Sequence, residues 1–202
     1  MKTIIRSFDK DYDGVPWELK PRVIPDGPSI LVVGPDRVGK TTLVQHMTEM
    51  TGIPSFKCPN EKEIFKSGGR SSLVFDYNLT HFIQQTGYRF ISDRAYPCEW
   101  VYSTVFKRET DYGLIAAIDA KHAAAGTKIL YVYSSVIPTE EDDIVPSDKY
   151  WDIVRAYGEL KNWSDCEIIT VDTSRMLKAF YDGDDVSAEV AEDVLAMLGI
   201  VV

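Results

Sequence analysis

The stretch that decides the fold of this chain is GPDRVGKTT, at residues 34–42. The apolar run SILVV at residues 29–33 precedes it, and apolar residues at helical spacing follow it up to Gly52. A strand, a glycine-rich turn and a helix in this order carry the pattern G-x-x-x-x-G-K-[ST]. In that pattern, backbone N–H groups and a helix N-terminus surround one anion. We therefore interpret residues 34–42 as a phosphate-binding loop.

The fixed positions of this pattern predict a nucleoside triphosphate and Mg²⁺ as cofactors. Lys40 would reach the β- and γ-phosphates, and the Thr41 hydroxyl would ligate the metal. A surface Gly-Lys turn is the alternative, but a buried strand before the loop and a helix after it disfavour that interpretation. The predicted ATP-binding residues are Gly34, Val38, Gly39, Lys40, Thr41 and Thr42.

Composition limits the possible partners. The chain has 202 residues, of which 45% are hydrophobic and 26% charged, as expected for one globular domain. A net charge of −9 disfavours a nucleic-acid polymer as partner, and no apolar run is long enough to span a membrane. The three cysteines show no C-x-x-C spacing, which favours a reducing cytoplasm over a metal or disulfide framework.

Alternating strand and helix patterns predict the fold. Residues 1–28 are rich in Asp, Pro and Gly, and they form either an arm on the domain surface or a mobile leader. Residues 29–202 form the predicted domain, an α/β fold of three layers with about five parallel strands between helices. The predicted strands cover 29–33, 53–56, 88–92, 128–133 and 167–172, and the later helices cover 71–87, 99–107, 114–125, 147–160 (with Ser147 as N-cap) and 186–198.

The carboxyl ends of parallel strands meet at one edge of a sheet, where ligands bind. Gly34, Lys57, Asp93 and Ser134 all follow predicted strands, so we expect them to converge. Phosphoryl transfer needs positive charge on the transferred group and a carboxylate near the acceptor. Asp93 and Arg94 supply one of each at a strand end.

On these residues the chain resembles the thymidylate kinases, a family of P-loop nucleoside monophosphate kinases. The resemblance rests on Asp36-Arg37 inside the loop and on Asp93-Arg94 followed by Tyr102, nine residues after the aspartate. Weaker similarities are Lys57 shortly before a proline and the sequence Leu-Val-Phe ending at Phe75. Together they cover roughly residues 29–105.

The resemblance implies roles for the residues around the acceptor. Asp36 would hold the sugar 3′-hydroxyl, and Arg37 would contact the transferring phosphate. Asp93 would organise Mg²⁺ and the acceptor phosphate, which Arg94 would clamp in a bidentate geometry. Tyr102 would close the space at C2′ and favour deoxyribose.

The resemblance also implies that Phe75 stacks on the acceptor base and that the protein dimerises through the helices of residues 71–125. In the family, a catalytic arginine comes from the phosphate loop or from a lid after the fourth strand. The corresponding segment here, residues 134–147, has no Lys or Arg and contains the acidic run 140–143. Arg37 in the loop makes a lid arginine unnecessary.

Three departures from the family pattern affect the acceptor site. Lys57 replaces an arginine and loses the bidentate fork. Leu79 occupies the position of an arginine that reads the thymine edge. Ala95 and Cys98 replace an aromatic residue and a serine. The predicted acceptor is therefore a deoxynucleoside 5′-monophosphate with a thymine-like or modified base, which would suit a viral nucleotide pathway in a host cytoplasm.

Two other functions remain open from the sequence. A deoxynucleoside kinase usually has Glu-Arg-Ser at the strand end where this chain has Asp93-Arg94-Ala95. A non-catalytic nucleotide-binding domain would keep the loop and tolerate Leu79, Lys57 and the acidic lid. Residues 172–174 follow the last strand, where nucleoside kinases place contacts to adenine.

Overall fold

A five-stranded parallel sheet organises the computed structural model, which describes residues 27–57, 70–136 and 147–200. Its strand order is β2-β3-β1-β4-β5, so the strand that leads into the phosphate loop lies at the centre. The strands are β1 (Ile30–Val33), β2 (Ser55–Lys57), β3 (Ile91–Asp93), β4 (Lys128–Tyr133) and β5 (Glu167–Asp172).

The described part of the chain forms seven α-helices around this sheet. They are α1 (Lys40–Thr51), α2 (Arg70–Thr86), α3 (Tyr96–Phe106), α4 (Tyr112–Ala124), α5 (Tyr150–Gly158), α6 (Ser174–Asp182) and α7 (Ser187–Leu198). Short 3₁₀ turns at Ser147–Lys149 and Glu159–Asn162 flank α5. None of these helices is long and apolar enough to cross a membrane.

Two apolar clusters cover the two faces of the sheet. In β1, Ile30 and Val32 belong to the cluster that includes residues of α1 and α7, whereas Leu31 and Val33 belong to the cluster that includes residues of α2 to α5. This division follows from the two-residue period of a strand, which sends alternate side chains to opposite faces. All four β1 residues are fully buried, as expected for the central strand of a three-layer fold. The predicted fold class is confirmed.

Several predicted bounds needed correction. The strand predicted over 53–56 is β2, which begins at Ser55, and the helix predicted over 99–107 is α3, which begins at Tyr96 because Pro97 suits a first helical turn.

The strand predicted over 88–92 is β3, which covers only Ile91–Asp93. Its first residue, Ile91, pairs with Ile30, the first residue of β1. Ser147 does not cap an α-helix: it begins a 3₁₀ turn, and α5 starts only at Tyr150. The sequence analysis also missed α6, a nine-residue helix that buries only Met176 and Leu177. Its apolar residues Met176, Leu177, Phe180 and Tyr181 do recur at helical spacing, but the helix is shorter than the window of about 11 residues over which such a period is usually judged.

Several predictions lie wholly or largely outside the described residues. These are the arm over 1–28, of which only residues 27 and 28 are described, the acidic run 140–143 and the residues just after Lys57.

Candidate functional site

The phosphate loop has the backbone shape that its glycines allow. Gly34 has φ 149°, and a Cβ atom there would lie 1.8 Å from the carbonyl oxygen of Val132 in β4. Gly39 has φ 82° and caps the N-terminus of α1. The loop therefore runs directly against the neighbouring strand and delivers its last residues into a helix N-terminus, which attracts anions.

Two arginines of the site have left-handed backbone conformations. Arg37 has φ 63° and Arg94 has φ 74°. Such a conformation costs about 1 kcal/mol or more for a residue other than glycine, and it is concentrated at functional sites. At Arg94 two hydrogen bonds hold it: the backbone N–H donates to Val32 O at 2.9 Å, and Ser92 Oγ donates to the Arg94 carbonyl at 2.6 Å.

Asp36 is the centre of the charged cluster. Its Oδ1 accepts a hydrogen bond from Arg94 Nη2, and its Oδ2 accepts one from the Tyr102 hydroxyl at 2.8 Å. Lys40 Nζ lies 4.0 Å from the same Oδ1. Burial opposes ionisation of Asp36, but the charges of Lys40 and Arg94 outweigh it, so the pKa of this carboxyl lies below its usual value. The loop is thereby tied to the residues that follow β3.

Lys40 is buried at the base of the loop, with only 5% of its surface exposed. Its ammonium donates a hydrogen bond to the carbonyl oxygen of Pro35. Burial, reinforced by the nearby charge of Arg94, lowers the pKa of Lys40. A buried cation in this position is stabilised by an anion, because the phosphates of a nucleotide would replace the water it has lost.

A hydroxyl and a carboxylate meet beside the loop in an arrangement that fits Mg²⁺. Thr41 Oγ1 donates to Asp93 Oδ2 at 2.7 Å, and Lys57 Nζ lies 3.9 Å from the same oxygen. The other oxygen, Asp93 Oδ1, is buried and has no hydrogen-bond partner among the described residues. Mg²⁺ is commonly held by one or two protein oxygens together with phosphates and water. The described residues contain no cluster of three or more His, Cys, Asp or Glu side chains, so phosphates and water would complete the coordination.

A cavity of about 540 Å³ opens from the phosphate loop toward α6, a volume that suits a small-molecule ligand. One wall contains charged and hydroxyl side chains, including Arg37, Lys40, Thr42 and Arg94. The other wall comes from the helix that the sequence analysis missed, with Met176, Leu177, Phe180 and Tyr181. Phe180 in this wall is 67% exposed. An apolar side chain with that much exposed surface is more typical of a binding surface than of a core.

The residues predicted to contact the acceptor base lie apart from this cavity, on α2. Phe75 is half-buried, and Leu79, one turn further on, packs against the apolar cluster that includes residues of α2 to α5. Between them lies Asp76, which the sequence analysis did not single out. It is 2% exposed, and its Oδ2 has no partner in the described part of the chain. Asp76 lies three residues after Leu73 and seven before Ile83, on the buried face of α2, and this helical spacing is the sequence signal that could have found it.

Replacing Asp76 with asparagine is expected to remove a pH dependence of stability. Burial raises the pKa of Asp76 from 3.8 to about 8, although the backbone N–H of Tyr96 acts against the shift. The folded protein therefore keeps a proton that the unfolded chain releases, so the free energy of unfolding falls as the pH rises between these two values. From about pH 6 to pH 8, urea titrations should show the wild type losing up to about 1.4 kcal/mol per pH unit relative to Asp76→Asn. Parallel pH profiles for the two proteins would contradict this.

The comparisons with known proteins identify the fold. No family model matches the chain, and a search of curated proteins finds no match either. Among solved structures, it is similar to the YorR protein of Bacillus subtilis in complex with phosphorylated GDP. The identity is 20%, the TM-score is 0.61, and the match covers 84% of this chain and 95% of that one.

Two further structures have the same fold. Deoxyadenosine kinase from M. mycoides with bound dATP is 16% identical, with a TM-score of 0.54 and coverage of 83% and 99%. Shikimate kinase from Acinetobacter baumannii in complex with shikimate is 14% identical, with a TM-score of 0.51 and coverage of 87% and 94%. At these identities the likeness concerns the fold alone. The chain therefore has the fold of the P-loop kinases.

Proposed function

We propose that this protein is a kinase that uses ATP and Mg²⁺ to phosphorylate a deoxynucleoside 5′-monophosphate. The single observation that carries the proposal is the cluster around Asp36, which links the phosphate loop to Arg94 and Tyr102. A loop that only bound a triphosphate would not need contacts to Arg94, which follows β3, and to Tyr102, which lies in α3. A second substrate next to the donor phosphates gives these two side chains a purpose.

The donor would occupy the cavity between the phosphate loop and α6. Its phosphates would lie against the backbone of the loop and against Lys40 and Arg37, and its base would lie against Phe180 and Tyr181. Aromatic side chains bind a base through its face, which every base offers, so this wall supports binding without fixing the identity of the base. Two of the similar structures hold a nucleotide, phosphorylated GDP in one and dATP in the other, which is consistent with a nucleotide donor.

The acceptor would bind on the other side of Asp36. Arg94 would clamp its phosphate through the planar fork of the guanidinium, while Asp36 would accept a hydrogen bond from its sugar. Thr41 and Asp93 would hold Mg²⁺, which supplies charge neutralisation at the phosphates when it is bound. Catalysis then consists of aligning donor and acceptor in line and of surrounding the transferred group with the cations Lys40, Arg37 and Arg94.

An assay of ADP release against a panel of acceptors tests this proposal. The panel contains the common deoxynucleosides, their 5′-monophosphates and the matching ribonucleotides, with ATP and Mg²⁺ in excess. Turnover with one or more deoxynucleoside monophosphates, and not with the free nucleosides, is the expected result. Turnover with nucleosides alone would make the protein a deoxynucleoside kinase. ATP binding without turnover on any acceptor would make it a non-catalytic nucleotide-binding domain.

Other features remain predictions that this assay does not address. We propose a homodimer formed through the helices of residues 71–125, a location in the cytoplasm, and a role of Phe75 and Leu79 beside the acceptor base.

Replacing Tyr102 with alanine is expected to admit ribonucleotides. The Tyr102 ring is 5% exposed, stacks on Phe106 with centroids 6.1 Å apart, and is held by its bond to Asp36. Its removal would open space where we place C2′ of the acceptor sugar. The ratio of kcat/KM for deoxy over ribo acceptors should fall by about tenfold or more in Tyr102→Ala. Tyr102→Phe keeps the ring and serves as the control, with a ratio near that of the wild type. An unaltered ratio in the alanine variant would remove this role from Tyr102.

A further inference from the structure

Thr173 joins the end of the sheet to the phosphate loop. It follows β5, is completely buried, and extends the pairing of β4 and β5, because its N–H donates to Tyr133 O at 2.8 Å. Its hydroxyl lies 2.7 Å from the carbonyl oxygen of Val38 and 3.0 Å from that of Tyr133. A hydroxyl has one proton to donate, and the shorter of the two contacts is the one to the phosphate loop, 135 positions away in sequence.

The contact to Val38 affects the orientation of one peptide unit in the loop. The peptide bonds of the described residues are all trans, and in a trans peptide the C=O and the following N–H point in opposite directions. When Thr173 holds the carbonyl of Val38 toward β5, the N–H of Gly39 is turned away from β5. Gly39 also lines the cavity in which we place the donor phosphates. The orientation of this N–H is therefore coupled to the Thr173 hydroxyl.

The neighbours of Thr173 do not share this task. The Asp172 carboxylate accepts hydrogen bonds from the N–H of Ser174 at 2.9 Å and from that of Ser135 at 3.3 Å. Ser174 Oγ in turn lies 2.7 Å from Ser135 Oγ. Asp172 and Ser174 therefore hold the turn after β5 against the turn after β4, whereas Thr173 contacts the phosphate loop.

We infer that Thr173 is a positioning residue for the donor nucleotide: its hydroxyl holds the Val38 carbonyl so that the phosphate loop presents the Gly39 N–H to the triphosphate. The inference rests on the proposed function, since it assumes that the loop binds the phosphates of a nucleotide. Backbone N–H groups in such a loop must point inward before the anion arrives, because reorienting them on binding would weaken affinity. Thr173 would thus affect donor binding without touching the donor.

The test compares Thr173→Val, which removes the hydroxyl at nearly constant volume, with Thr173→Ser, which keeps it. Thr170→Val is the matched control, because Thr170 lies in β5, three residues before Thr173, with its side chain exposed. Calorimetry with ATP and Mg²⁺ and no acceptor gives the dissociation constant for each full-length protein. We expect the dissociation constant to rise about tenfold in Thr173→Val, the equivalent of one lost hydrogen bond. In Thr173→Ser and Thr170→Val it should stay near the wild-type value. In turnover assays, KM should rise for the donor and not for the acceptor.

Each other result counts against the inference. If the wild type binds ATP and Thr173→Val binds it with equal affinity, the inference is wrong and the proposed function stands. This holds even if the variant melts at a lower temperature. A wild type that binds no nucleoside triphosphate would overturn the proposed function and this inference with it. Should Thr173→Val fail to fold, Thr173→Ala is measured in its place, and the same two results decide.

Discussion

Replacing Lys40 with methionine is expected to lower kcat by about a thousandfold or more while the protein stays folded. Methionine matches the four-atom apolar stem of the lysine side chain but lacks the ammonium. That ammonium is buried, bonds the Pro35 carbonyl and lies 4.0 Å from the Asp36 carboxylate. In the proposed reaction it stabilises charge on the transferred phosphate, where one preorganised cation has its greatest effect.

The measurement is kcat in the ADP-release assay, with the circular dichroism spectrum and the thermal unfolding midpoint of the same samples as checks on folding. Lys128→Met is the control, because Lys128 begins β4 at the opposite end of the strands and pairs with Glu167 at the surface. Arg37→Ala should also lose activity by orders of magnitude, since Arg37 replaces a lid arginine in our proposal. Full activity in Lys40→Met would exclude the phosphate loop as the catalytic site.

The second large effect is expected from Gly34→Ala, which should cost about 4 kcal/mol of stability or leave no folded protein. The added Cβ would lie 1.8 Å from the carbonyl oxygen of Val132, and φ 149° is a conformation that side chains rarely adopt. The atom it meets belongs to the backbone of β4, which pairs with β1 along its length. A collision with a flexible side chain could relax, but this one requires two central strands to separate.

Gly52→Ala is the matched control for this prediction. Gly52 caps the C-terminus of α1 at φ 70°, and an added Cβ there meets nothing within 4 Å. Its substitution therefore carries only the conformational cost, about 1 kcal/mol. Urea unfolding of both variants gives the comparison. Equal free energies of unfolding for the two would mean that the loop does not pass as close to β4 as the structure shows.

The acidity of the chain is compatible with a local group of cations at the phosphate loop, although Asp184 and Asp185 also line the cavity. The net charge of −9 belongs to the whole surface, whereas Lys40, Arg37 and Arg94 gather at one end of the sheet. Such a local arrangement suits a small anionic ligand, because only charges within about 8 Å act strongly in physiological salt. A nucleic-acid polymer would need a broader basic surface.

Local sequence predicted the parts of this protein that depend on short-range chemistry. The order of strand, loop and helix around residues 34–42 was readable because glycine requirements and the periods of apolar residues are properties of neighbouring positions. Apolar runs predicted β1, β3, β4 and β5, whereas the short piece predicted over 53–56 only approximates β2, whose three residues are exposed. The placement of Asp93 and Arg94 at a strand end followed from counting along one such run. Short elements were harder: α6, which forms one wall of the cavity, has only nine residues, fewer than the window of about 11 over which a helical period is usually judged.

What the sequence by itself determined is therefore the fold class, the order of strand, loop and helix around residues 34–42, and the edge of the sheet where the candidate site lies. Only the tertiary structure decided how these residues are connected. That Asp36 receives Arg94 and Tyr102 and that Thr173 reaches Val38 are contacts between distant parts of the chain. The physical reason is that such contacts depend on strand order and helix packing, which no local pattern of residues encodes.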